Sequence, residues 1–115
     1  MIQWRKNTPT KQEIECRIFG MIESADEVSL PRVLESISEE IVMLWEYTYY
    51  IPSANSYFTL ELDGNYYHGY DLFVHKQTKS ELEHIVQLRM EREKQLGIKP
   101  LWPQIYERLL MLPQE

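Results

Sequence analysis

The sequence predicts a single small α+β domain in the order helix, helix, β-hairpin, helix, helix. Three observations carry that expectation. Helical apolar spacing runs through residues 9–49 and again through 79–112, with a β-rich, alternating stretch between them. An Asp-Gly pair, a preferred hairpin turn because its backbone must reach positive φ, sits inside that stretch. The 115 residues are 43% apolar, enough for one core, and no repeat, low-complexity tract or Gly/Ser linker divides them. The domain is therefore read as 1–115, with 1–8 and 113–115 expected to be flexible.

The first helix is expected to start at Thr8-Pro9, where Thr can cap and Pro suits the first turn. Ile14, Ile18, Met21 and Ile22 share one face and Cys16 lies opposite. "SADEVS" at 24–29 reads as a break. A second helix is predicted from Pro31 to about Tyr49, because Val33, Leu34, Ile37, Ile41, Leu44, Trp45 and Thr48 form one unbroken stripe. The end of that segment, "IVMLWEYTYYI", is also rich in strand-favouring residues. Ile51-Pro52 closes it.

Strands are expected near 57–62 and 66–75 around a turn at Asp63-Gly64-Asn65. Alternation sorts Tyr66, His68, Tyr70, Leu72 and Val74 to one face, and Tyr67, Gly69, Asp71, Phe73 and His75 to the other. A helix over 79–96 is marked by Ser80 and Glu83 at capping-box spacing and by Gly97 at its end. Leu82, Ile85, Val86, Arg89 and Leu96 share a face. The last helix follows Trp102-Pro103, with Ile105, Tyr106, Leu109 and Leu112 inward.

Charge narrows the function classes. The net charge of −6 is uneven: residues 21–75 carry ten acidic side chains against Arg32 alone. Seven of the eight tyrosines fall between 47 and 70, inside the same acidic region. Such a face repels a phosphate backbone, which needs Lys and Arg to neutralise it, and attracts a basic protein surface. Cys16 is the only cysteine, which excludes an intrachain disulfide and a Cys-based zinc site. No apolar run is long enough to span a bilayer, and the start lacks the apolar segment of a secretion signal, so a cytoplasmic location is expected.

No motif assigns catalysis or a cofactor. His68, His75, His84 and Asp71 offer metal-ligand chemistry, but their spacing fits no metal motif and alternation separates His68 from His75. Cys16 has no evident activating base. Four glycines cannot readily build a phosphate-cradling loop.

Two helices across a short break, then a hairpin and a long helix, resemble the order of a winged-helix domain. The resemblance implies a recognition helix within 32–49, a wing at 57–75 and a dimerising helix at 79–96. Against DNA readout, "SISEEIVMLWEY" offers Glu39, Glu40 and Glu46 but none of the Arg, Lys, Asn or Gln that read base edges.

Both hairpin faces carry Tyr and one core can cover one face, so some of the tyrosines are expected at the surface, where Tyr is a favoured contact residue. The reading is a non-enzymatic protein-interaction module, a regulatory adaptor or inhibitor. Its partner is expected to carry a basic patch of the kind found on nucleic-acid-handling proteins. Tyr47, Tyr49, Tyr50, Tyr57, Tyr66, Tyr67, Tyr70, Glu46 and Asp71 are the expected contacts, with no cofactor and no metal. A winged-helix-like DNA-binding regulator is the alternative, a small-molecule binder or enzyme the third, and residues 79–96 offer a homodimer face.

Overall fold

The computed structural model describes residues 8–65 and 69–115, with side chains at 8–64 and 71–115. The chain runs α1 (Lys11–Glu23), α2 (Leu30–Ser36), β1 (Val42–Trp45), β2 (Thr48–Ile51), a single 3-10 turn at Pro52–Ala54, β3 (Ser56–Asn65), β4 (Gly69–Gln77), α3 (Lys79–Leu96) and α4 (Trp102–Leu110). The strands form one antiparallel sheet in the order β1-β2-β3-β4. It is an α+β domain, but with a four-stranded meander where one hairpin was expected.

The difference lies in residues 37–51. The predicted second helix stops at Ser36, whose Oγ donates to the Val33 carbonyl at 2.6 Å, and Ile37 leaves helical geometry at φ −112°. Residues 42–51 then form the β1–β2 hairpin, with Val42 opposite Tyr50 and Met43 opposite Tyr49. The winged-helix resemblance thereby loses the recognition helix on which it rested.

The sheet has a core on each side, which is why that stretch is apolar all round. Strand alternation sends Tyr49, Ile51, Phe58 and Leu60 to one face, where Ile14, Ile18 and Ile22 of α1 and Leu30 of α2 cover them. It sends Tyr50 and Tyr57 to the other, against Leu82 and Val86 of α3 and Leu109 of α4. Cross-strand aromatic pairs mirror each other through the sheet: Tyr49 stacks on Phe58 at 5.2 Å and Tyr50 tilts over Tyr57 at 4.8 Å. Each fully buried Ile, Leu or Phe contributes about 1.5–3 kcal/mol.

Helix starts are displaced by two residues from the sequence expectation. Thr10, not Thr8, caps α1, accepting from Glu13 N at 3.2 Å. Thr78 and Glu81, not Ser80 and Glu83, form the capping box of α3. In both cases the side chain that caps is the one at which the backbone turns from extended to helical. Met21, expected inward, is 36% exposed. Cys16 is exposed, Gly97 ends α3 at φ 65°, and Ile105, Tyr106 and Leu112 pack on the second core as expected.

The expected turn at 63–65 is strand instead: Asp63 pairs with Asp71, Gly64 with Tyr70 and Asn65 with Gly69. The connection falls on Tyr66, Tyr67 and His68, which lie outside the described residues, as does the side chain of Tyr70. Leu72 and Val74 turn to the α1 side while Asp71, Phe73 and His75 are exposed.

The C-terminal residues close the second core. Tyr57 Oη donates to the Pro113 carbonyl at 2.7 Å, Asn55 Nδ2 to the Gln114 carbonyl at 2.6 Å, and Lys79 N to the Glu115 carboxylate at 2.9 Å. Glu15, buried on α1, accepts from Ser56 Oγ at 3.0 Å and pairs with Lys76 at 2.8 Å, which ties α1 to β3 and β4.

Candidate interaction surface at the β1–β2 turn

β1 and β2 are joined by two residues, Glu46 and Tyr47. Tyr47 adopts φ 63°, in the left-handed region that a bulky side chain occupies at a cost of about 1–2 kcal/mol. Such turns usually place Gly, Asn or Asp there. Asn55, the other described non-glycine residue at positive φ, is of the tolerated type. The Tyr47 carbonyl is pinned by Leu60 N at 2.8 Å, so the turn cannot easily relax. Tyr47 as a whole is 42% exposed.

Tyr47 stands between two concavities. One, of about 310 Å³, has Trp45, Trp102 and Ile105 as its floor and Glu46 and Arg89 on its rim. There the Trp45 and Trp102 rings meet edge to face at 5.5 Å, and the Arg89 guanidinium carbon lies 4.5 Å over Trp102. The other, of about 600 Å³, lies on the opposite side of the sheet and is lined by Leu30, Pro31 and Leu34 of α2, Leu62 of β3, and Glu27.

The β3–β4 hairpin overhangs this corner. Pairing between β2 and β3 ends at Thr48 and Thr59, whereas β3 and β4 stay paired out to Asn65 and Gly69. The projecting arm carries Glu61, Asp63 and Asp71, all exposed, with Asp63 directly opposite Asp71. The arm thus gathers acidic side chains on both of its strands. Glu61 is paired with His75. Glu27 and Glu46 are exposed and have no cationic partner among the described residues.

The sequence-expected contacts therefore separate. Glu46, Tyr47 and Asp71 remain at the surface. Tyr49, Tyr50 and Tyr57 are withdrawn from it, at 7%, 6% and 0% exposure, because the sheet is covered on both faces. Burial pushes all three phenols up; Tyr49 is raised further by nearby Tyr47 and Glu46, and Tyr57 reaches about 12. Tyr66, Tyr67 and the side chain of Tyr70 lie outside the described residues.

Arg89, read from the sequence as sharing a face with Leu82 and Val86, is exposed over Trp102, and the meeting of Trp102 with Trp45 leaves no local sequence signal. Among the described residues no cluster of His, Cys, Asp and Glu is placed to hold a metal ion. Nor is any helix among them long and apolar enough to cross a membrane. No family model, curated protein or solved structure matches the chain.

Proposed function

We propose that this chain is a non-enzymatic protein-interaction module that engages a basic protein surface through the corner built by Glu46, Tyr47, α2 and the acidic β3–β4 arm. One observation carries the reading: a bulky aromatic is held exposed in a strained left-handed conformation between two apolar-floored concavities. Backbone strain at an exposed side chain is a mark of function rather than stability.

Electrostatics chooses the partner. Glu27 lines the α2-side concavity, with no Lys or Arg on it among the described residues, Glu46 lines the concavity beside Trp45, and Glu61, Asp63 and Asp71 are exposed on the neighbouring β3–β4 arm. A basic surface is steered toward such a face, and an apolar floor gives it something to bury. Nucleic acid is disfavoured for the same reason. Neither concavity beside Tyr47 is lined by a Ser, Cys or His that could serve as nucleophile or base among the described residues.

Affinity capture with the wild type and with Tyr47→Ser and Glu27→Lys/Glu46→Lys variants tests the proposal. A protein partner that survives nuclease treatment and is lost in both folded variants supports it. Equal capture by all three proteins, or capture of nucleic acid alone, overturns it.

A further inference from the structure

We propose that β1 is a self-pairing edge, so that two copies of this chain join antiparallel through Val42–Trp45 into one eight-stranded sheet across a twofold axis. This goes beyond the Tyr47 corner, with which it shares Glu46 and the Arg89 concavity, but it is argued from the β1 edge.

The edge carries no charge and no proline along its four residues. β1 is the terminal strand of the sheet, with β2 on one side only. Natural edges are usually blunted by charge, proline or a bulge. The strand reads Val-Met-Leu-Trp, with neither charge nor proline, and Val42 and Met43 are 46% and 63% exposed. Its one defence is a bulge at Leu44, between Met43 and Trp45, and Leu44 packs with Trp45 on the α3–α4 core, which leaves Val42 and Met43 as the open part of the edge. Leu110 and Met111, at the end of α4, are also exposed, at 49% and 86%.

Charge identifies the occupant. A groove of about 200 Å³ runs between β1 and α4, walled by Val42, Met43, Ile105 and Leu109, with Arg108 on it. It continues past Trp45 and Ile105 into the concavity that carries Arg89. Arg108 therefore marks the Val42 end of the strand and Arg89 the Trp45 end. Neither arginine has an acidic partner among the described residues.

A matching strand would be apolar in the middle and acidic at both ends. The chain's own segment 39–46, "EEIVMLWE", has that pattern. Antiparallel self-pairing, with Val42 opposite the partner's Trp45, brings the partner's Glu46 to the Arg108 end and the partner's Glu39 to the Arg89 end. The twofold repeats both pairs, as an isologous interface requires. Main-chain bonds along β1 supply what both edges lack.

Sedimentation equilibrium from micromolar to sub-millimolar concentration tests this, with circular dichroism to confirm folding. The expected result is a species of twice the 13.9 kDa chain mass. Met43→Lys, at an exposed position, is expected to leave a folded monomer. Arg108→Glu is expected to raise the dimer Kd about tenfold, the equivalent of about 1.4 kcal/mol, and adding Glu46→Arg to restore it. A wild type that stays monomeric throughout overturns the proposal, and so does a dimer that persists unchanged in Met43→Lys.

Discussion

Lys79 and Glu93, both buried on α3, hold opposite ends of α4. Lys79 Nζ donates to the Leu110 carbonyl at 3.2 Å and also to that of Leu112, where the last carbonyls of α4 carry partial negative charge. The Glu93 carboxylate accepts from Leu101 N at 2.6 Å and Trp102 N at 3.3 Å, where the first amides carry partial positive charge. About 21 Å of α3 separates the two side chains, at 1.5 Å per residue, so the antiparallel helices are clamped at both ends. Leu101 and Trp102 have no side-chain cap of their own, and Glu93 replaces one from another helix.

Removing either clamp should loosen α4 and with it the second core. Glu93→Gln keeps the side-chain length and Lys79→Met shortens it by one atom; both remove the charge, and each should lower unfolding free energy by about 1–3 kcal/mol. In urea titrations the midpoint should fall with little change in slope. An exposed pair serves as control: Arg17 and Glu40 bond at 3.2 Å at the surface. Arg17→Ala should cost under about 1 kcal/mol.

Tyr57 links the same core to pH. Its phenol is fully buried, donates to Pro113, and is pushed up to about 12, first by burial and then by Tyr50, Glu115 and Glu83. A folded value raised above the unfolded one, about 10, means that the fold holds the neutral phenol. Its contribution is complete below about pH 10 and is lost as pH rises from there toward 12. The alkaline loss attributable to Tyr57 should reach about 2–3 kcal/mol. Tyr57→Phe should cost about 1 kcal/mol at neutral pH and flatten the alkaline limb of stability against pH. Tyrosinate absorbance should show Tyr49, Tyr50 and Tyr57 titrating above the ordinary phenol range, because burial raises all three.

How much of this was legible from residues alone depended on how many faces an element shows to solvent. α1, α3 and α4 each keep a polar side, so period and punctuation located them to within two or three residues. Residues 33–48 also satisfy a helical stripe, yet the structure divides it: Val33, Leu34, Ile37 and Ile41 serve the first core, Leu44 and Trp45 the second. A strand buried on both faces has no polar side to reveal its period of two. Asp63-Gly64 misled for a related reason, since local turn preference yielded to nine residues of β3–β4 pairing. The acidity of the candidate surface was plain from composition. The exposure of Tyr47 was not, because it depends on Leu60 and on the helices that bury its neighbours.

Tyr47 separates stability from binding. Tyr47→Gly removes the penalty for a side chain at positive φ and should be neutral or stabilising by up to about 1 kcal/mol in thermal melts. If the Tyr47 corner binds as proposed, the same variant loses the partner. A variant that is more stable and equally competent to bind would assign the strain to the turn alone.

Two glycines provide a matched test of backbone against packing. A Cβ added at Gly20 or at Gly97 would meet nothing within 4 Å, so neither position is constrained by space. They differ in conformation. Gly20 lies inside α1 on its exposed side, where glycine loses about 0.5–1 kcal/mol relative to alanine through backbone entropy. Gly97 ends α3 at φ 65°, where its N–H reaches the Lys94 carbonyl at 3.2 Å. Alanine there incurs the left-handed penalty of about 1–2 kcal/mol. Gly20→Ala should therefore raise the unfolding midpoint and Gly97→Ala lower it, while Gly97→Asn, a tolerated left-handed residue, should fall between wild type and alanine. Equal effects of the two alanine substitutions would mean that the α3 terminus does not hold the left-handed conformation in solution.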